Sequence, residues 1–332
     1  MMAQQNNNKL KRREFLGRLG KATASIAAAG CVSYLLYDSK PPSASQKTGE
    51  LVTLPDFSIP RREGEVISVV TGADRKKTFN KAIELLGGID RFVKKGDRVA
   101  IKPNVAFATP AMIGATSSPE LVGEMVRLCY KAGAKQVLVT DNPINDPSSC
   151  FMLSGIGKAA RNAGAKVILP KDNLFKNTNL LNGTLIRNWP IYYEPFAKID
   201  KLIGVAPVKD HHRSRASMSM KNFYGLLGGR RNIFHQDINT IIAELSMMVK
   251  PTLVILDGTE VMVTNGPTGG SVSDLKRANT MIASCDMVAA DACGANLLNL
   301  KVSDLPYLTK AQAAGMGMTD YEALKPKTAQ IN

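Results

Sequence analysis

Val99-Ala100-Ile101-Lys102-Pro103-Asn104, Ser118-Pro119-Glu120 and Val137-Leu138-Val139-Thr140-Asp141-Asn142-Pro143 together spell a strand, a helix and a second strand. The two apolar runs are short and unbroken, as in strands buried on both faces. Between them, Ser118 offers a capping hydroxyl, Pro119 takes the first helical position and Glu120 places an acid in the first turn. The helix so opened ends near Gly133.

The same alternation extends outward. Val66–Val70 reads as a strand leaving through Thr71-Gly72, and Thr78–Leu86 as a helix stopped by Gly87-Gly88. Downstream, residues 154–163 read as a helix and Val167–Leu169 as a strand. Leu202–Val205, Leu253–Leu256 and Thr280–Ala283 read as further strands, and residues 237–249, 286–299 and 307–313 as helices. This pattern predicts an α/β fold: a mostly parallel sheet with helices on both faces, built as one large core or two lobes. The expected organisation is an N-terminal signal or anchor over residues 1–45, a Pro/Ser-rich linker over 46–64, the α/β domain over 65–315 and a C-terminal tail over 316–332.

Lys11-Arg12-Arg13-Glu14-Phe15-Leu16 precedes a weakly apolar stretch from Ala22 to Tyr37, the order of a twin-arginine export signal. That stretch is shorter than the roughly 20 apolar residues of a comfortable membrane span, which favours a signal over a permanent anchor. Ser43-Ala44-Ser45 offers a small-residue cleavage site, and Ala29-Gly30-Cys31 an alternative lipid-attachment box. The expectation is a protein exported by the twin-arginine translocase to the periplasm, free there or attached to the outer face of the inner membrane.

The net charge is +15. Residues 1–45 carry seven cations and two acids, so the remainder keeps about two thirds of that charge. Such a balance suits an anionic ligand or surface. Long Lys/Arg runs, zinc-finger spacing and interleaved aromatics are all missing, so specific nucleic-acid binding is not expected. The five cysteines, at 31, 129, 150, 285 and 293, form no C-x-x-C pair and no iron–sulfur motif, and read as small buried hydrophobes. Neither a cofactor nor a metal is specified.

All three histidines fall between Lys209 and His235, together with six cations and one acid. Lys209, Arg213, Arg215 and Lys221 with Asn222 can grip a carboxylate or phosphate, and His211 is the first candidate for a base or metal ligand. A solvated basic loop would share this composition; the flexible, aromatic Phe223-Tyr224-Gly225 beside it argues for a site. Ligands of parallel sheets bind beyond the carboxyl ends of strands. Lys102, Asn104, Asp141 and Asp257 stand at or just past such ends, Asp257 and Asp141 being able to take a ribose hydroxyl, a metal or a proton. The Asn265-Gly266-Pro267-Thr268-Gly269-Gly270 loop can turn backbone N–H groups toward an anion. The catalytic candidates are therefore His211, Lys209 and Asp257. The ligand-binding candidates are Lys102, Asn104, Asp141, Arg213, Arg215, Lys221, Asn222, Asn265, Gly266, Gly269 and Gly270.

Lys102-Pro103-Asn104, Gly114–Pro119, Gly133-Ala134-Lys135 and Asp141 resemble the N-terminal half of the domain-of-unknown-function 362 family. Lys209-x-His211, Lys221-Asn222 with Gly225, His235, Lys250-Pro251, Asp257-Gly258, Asn265–Gly270 and Asp286 to Asp291 resemble its second half, in order, over residues 65–315. Many members carry ferredoxin-like cysteine segments and are thought to be redox proteins. This chain lacks those cysteines, so the resemblance does not carry redox function over. Two classes remain: an exported enzyme acting on an anionic small molecule or cofactor, such as an oxidoreductase or isomerase, and a non-catalytic periplasmic module that binds such a ligand or assists assembly of a redox partner.

Overall fold

The computed structural model describes residues 12–35 and 50–332, in two separate units. The first contains helix α1 (Arg12–Leu35). Among the described residues no helix is long and apolar enough to cross a membrane. The proposed cleavage site at 43–45 lies outside the described residues.

The second unit begins with strand β1 (Ile67–Thr71), helices α2 (Arg75–Leu85) and α3 (Ile89–Phe92), strand β2 (Arg98–Pro103), helix α4 (Pro119–Lys131) and strand β3 (Gln136–Thr140). Ser118 caps α4 as its hydroxyl accepts from Leu121 N–H, with Pro119 opening the helix. Helices α5 (Pro147–Leu153) and α6 (Ile156–Asn162) replace the single helix expected over 154–163. Asp146 caps the first through Ser149 N–H, and Gly155, at φ 75°, separates the two. Next come strands β4 (Lys166–Ile168), β5 (Phe175–Thr178), β6 (Trp189–Tyr192), β7 (Lys201–His211) and β8 (Arg215–Ser217). Helices α7 (Ser219–Asn222) and α8 (Ile238–Met248), strands β9 (Leu253–Met262) and β10 (Leu275–Ser284), helices α9 (Met287–Ala295) and α10 (Pro306–Ala313) and strand β11 (Lys327–Gln330) complete it.

The main sheet runs β11-β1-β10-β9-β7-β2-β3-β4, with β8 hydrogen-bonded to β7. Strands β2, β3, β4, β7 and β9 are parallel, whereas β10 is antiparallel to β9 and β1. Alternate residues feed two cores. Ala100, Leu138, Leu202, Ala206 and Leu256 pack with α8, α9 and α10, while Val99, Ile101, Val139, Ile203 and Ile255 pack with α2, α4 and α6. The α/β class with helices on both faces therefore stands. The two-lobe alternative does not, because β7 bonds β2 on one side and β9 on the other and joins both halves in one sheet.

Other segments also differ from expectation. Strand β7 runs six residues past Val205, carrying Lys209 and His211 inside the strand; their polarity hid it from a reading based on apolar runs. Residues 316–332, expected to trail, instead contribute β11, which pairs parallel to β1. The linker packs as well: Leu54 and Phe57 are buried, and Phe57 N–H donates to Lys250 O.

Candidate functional site

The carboxyl ends of β2, β3 and β7 open into a cavity of about 490 Å³. The β7–β8 hairpin, the 3-10 turns after α7 and the Gly266–Thr268 segment form its remaining walls. Its lining includes Asn104, Asp141, Lys209, His211, Arg213, Lys221, Asn222 and Gly266 from the sequence-based candidates.

Beneath it lies a fully paired polar floor. Lys102 Nζ, wholly buried, contacts Asp141 Oδ1 at 2.6 Å, and Asp141 also accepts from Val105 N–H at 2.7 Å and Asn142 N–H at 2.9 Å. Asn222 accepts from Lys102 Nζ and donates to Lys102 O. Burial lowers the Lys102 pKa, while the Asp141 charge and hydrogen bond oppose that shift. A Cβ at Gly225 would strike both partners of this pair, so only glycine fits against it. These residues hold the strand ends together; their groups are committed to one another.

Lys209 and Lys221 are placed differently. Lys209 Nζ donates to Ala115 O at 2.5 Å and Pro267 O at 3.2 Å, above the Phe107 ring at 5.1 Å. Lys221 Nζ stands 5.0 Å above the Tyr224 ring. Neither has a carboxylate within salt-bridge distance among the described residues. Burial is the main cause that lowers Lys209 to about 7, with the Lys221 charge adding and Asp141 opposing. Lys221 drops to about 8 through burial and the Arg231 charge.

His211 Nδ1 accepts from Arg213 N–H at 3.1 Å and Ser214 N–H at 3.2 Å, which fixes the proton on Nε2. Burial, then the charges of Lys221, His212, Lys209 and His235, pull its pKa far below the ordinary imidazole value. His211 is thus a neutral donor, a finding that argues against its expected roles as base or metal ligand. The His212 and His235 rings stack on it at 4.9 Å and 6.1 Å. Among the described residues no group of three or more His, Cys, Asp or Glu is arranged to hold a metal.

Other candidates lie elsewhere. Asp257 sits within β9, contacts Arg75 Nε at 2.9 Å, accepts from Thr259 N–H and does not line the cavity. Arg215, at φ 60°, turns outward to Asp304 at 3.0 Å. The 265–270 loop does not offer the expected anion nest, because Asp274 already occupies that role. Its carboxylate accepts from Asn265 Nδ2 and from the N–H groups of Gly270 and Ser271, and Gly266 N–H goes to Asp210. Gly269 and Gly270 do not reach the cavity, and the loop contributes the Pro267 carbonyl instead.

Tyr224 and Arg231 also line the cavity, although sequence reasoning noted them only as part of the aromatic and basic stretch and not as site candidates. Arg231 spends its guanidinium on the carbonyls of Tyr224, Leu227, Asn142 and Pro143, tying the turn after α7 to the end of β3. His235, which reads most simply as a helix-start residue, lines the cavity with Nδ1 3.1 Å from Tyr224 Oη. The four described cysteines are free, three of them buried.

The profile of the family described as "Domain of unknown function (DUF362)" matches residues 99–296, well over half of the chain. The chain belongs to this family. The match takes in β2 through α9, and so every cavity residue named above. A thylakoid-associated protein of Synechocystis sp. is 26% identical to this DUF362 chain, over 74% of it and 76% of the relative. Among solved structures, the lactate racemase apoprotein from Thermoanaerobacterium thermosaccharolyticum matches with a TM-score of 0.40 at 12% identity, over 76% of this chain and 60% of that one. A protein from Thermotoga maritima matches with a TM-score of 0.34, also at 12% identity, over 73% of this chain and 58% of that one. The DUF362 chain thus spans less than two thirds of either solved protein.

Proposed function

We propose that this DUF362 protein binds an anionic small molecule or cofactor in the cavity at the ends of β2, β3 and β7. One observation carries the reading. Lys209 and Lys221 line the cavity without a carboxylate partner, while Asp141, the sole acid in its wall among the described residues, is committed to Lys102. Lys221 is the principal anion contact, Arg213 stands at the exposed rim and Lys209 adds charge while protonated. Where the ligand undergoes proton transfer, as an isomerase or oxidoreductase substrate would, Lys209 is the proton acceptor and His211 a fixed hydrogen-bond donor that keeps its own proton.

Titration calorimetry with sulfate and with small carboxylates, whose own charges stay constant above about pH 6, tests this. A bound anion favours the ammonium forms, so it raises both lysine pKa values and binding takes up protons. Affinity is therefore full below about pH 7 and falls as pH rises through the free-protein values of Lys209 (about 7) and Lys221 (about 8). The other groups facing these amines are the charged Asp141, Arg213 and Arg231 and the imidazoles of His212 and His235, the latter shifted below its ordinary value by burial; His211 stays neutral across that range. Affinity unchanged between pH 6 and pH 9, about one unit either side of that window, would overturn the reading.

The arginine pair ahead of Phe15-Leu16 supports export by the twin-arginine translocase. A relative named for association with thylakoids is in keeping with attachment at a membrane face. Replacing Arg12 and Arg13 together by lysine is expected to leave the protein in the cytoplasm. Fractionation showing undiminished export would refute that assignment.

A further inference from the structure

We propose that Lys209 and His211 form a carbonyl-capturing pair, in which Lys209 Nζ adds to an aldehyde or ketone carbon while His211 Nε2–H hydrogen-bonds the carbonyl oxygen. The ligand class is then an oxo acid or another anion bearing a carbonyl group, its charge held by Lys221. This rests on the anion-binding reading of the same cavity and names the reactive group of its ligand.

Strand geometry supplies the pairing. Residues two apart on a strand point to one side, so Lys209 and His211 share a face of β7. Ser217, directly opposite Lys209 in the β7–β8 register, lines the cavity too. The donor count then separates the two roles. Two carbonyls, of Ala115 and Pro267, accept from Lys209 Nζ, matching the two N–H bonds of a neutral amine and leaving its lone pair unengaged. Burial beside Phe107 with no carboxylate partner favours that neutral form, as in other amines activated by desolvation. At His211 the backbone N–H groups of Arg213 and Ser214 consume Nδ1, so Nε2 bears the hydrogen and has no protein partner among the described residues.

The step balances without an added oxidant or reductant. The Nζ lone pair forms the C–N bond, the carbonyl π pair moves to oxygen, and the proton shed by nitrogen ends on that oxygen through solvent. Loss of water then leaves the imine. His211 keeps its proton throughout and stabilises the developing oxyanion.

Reductive trapping tests the assignment. The full-length protein is incubated near neutral pH with glyoxylate and cyanoborohydride, and the modified lysines are mapped by peptide mass spectrometry. Lys209 is expected to label at least about tenfold faster than exposed lysines such as Lys94 and Lys158. H211F should slow that labelling by about 10²-fold, and H211Q should restore most of it because its amide can donate from a similar position. Nitrogen-15 spectra of the wild-type imidazole provide a measurement independent of variant folding. They should show an unprotonated Nδ1 and a protonated Nε2, without titration, from about pH 5 to about pH 8. Labelling at Lys209 no faster than at surface lysines, or a protonated Nδ1, overturns the pair. Sulfate binding that persists without an adduct overturns the pair alone, whereas loss of both also overturns the anion-binding reading.

Discussion

Asp141→Ala is expected to destabilise the fold by about 3–5 kcal/mol, read as a shift in the urea midpoint. The loss does not come from the pair's attraction alone. Removing the carboxylate strands Lys102, wholly buried, with its charge uncompensated, and deprives Val105 and Asn142 N–H groups of their acceptor. Both N–H groups belong to segments leaving β2 and β3, so the change loosens two strand ends at once. The exposed Arg215–Asp304 pair provides the contrast. Breaking it should cost no more than about 1 kcal/mol, because solvent already screens both charges. An Asp141→Ala loss as small as that would mean the floor of the cavity is hydrated rather than sealed.

Much of the fold was legible because buried parallel strands write themselves as short apolar runs. Val99–Ile101, Val137–Thr140 and Leu253–Leu256 all fall within observed strands, and Ser118-Pro119 caps the helix it announces. Part of what escaped the sequence reading lay where strand residues are polar for a reason other than solvent exposure. Lys209 and His211 face a cavity, so β7 looked four residues long instead of eleven. The β5–β6 pair escaped for a different reason, because exposed Lys176 and half-buried Asn177 make a short surface strand read as loop.

The site was legible in composition but not in geometry. Clustered histidines and lysines between 209 and 235 do converge, and Lys102, Asn104 and Asp141 do gather at the strand ends. Their division of labour depends on hydrogen-bond partners that no spacing encodes. Asp274 fills the glycine-rich nest, Asp257 serves Arg75, and two backbone amides set the His211 tautomer. A sequence can therefore nominate the polar groups of a cavity, while only their commitments show which remain available to a ligand.

Lys209→Met puts that distinction to the sharpest test, since stability and binding should move in opposite directions. In the ligand-free protein the Lys209 pKa of about 7 lies below its unperturbed value of 10.5, so the folded state disfavours the ammonium. Between those values the unfolded chain holds the extra proton, and wild-type stability rises with pH. The wild-type penalty is fully present below about pH 7, where its upper bound is about 5 kcal/mol. Methionine removes that penalty but leaves the carbonyls of Ala115 and Pro267 without their donor, at about 1 kcal/mol each. The variant should gain a few kcal/mol at and below neutral pH, the gain should shrink to nothing near about pH 9, and it should reverse to a loss of about 2 kcal/mol above about pH 10.5. Over the same comparison, sulfate affinity below about pH 7 should fall about 10- to 100-fold, the loss of one charge-assisted contact. A variant that is less stable below about pH 7 yet binds sulfate unchanged would make Lys209 a structural strut between Ala115 and Pro267, and would leave the anion to Lys221 alone.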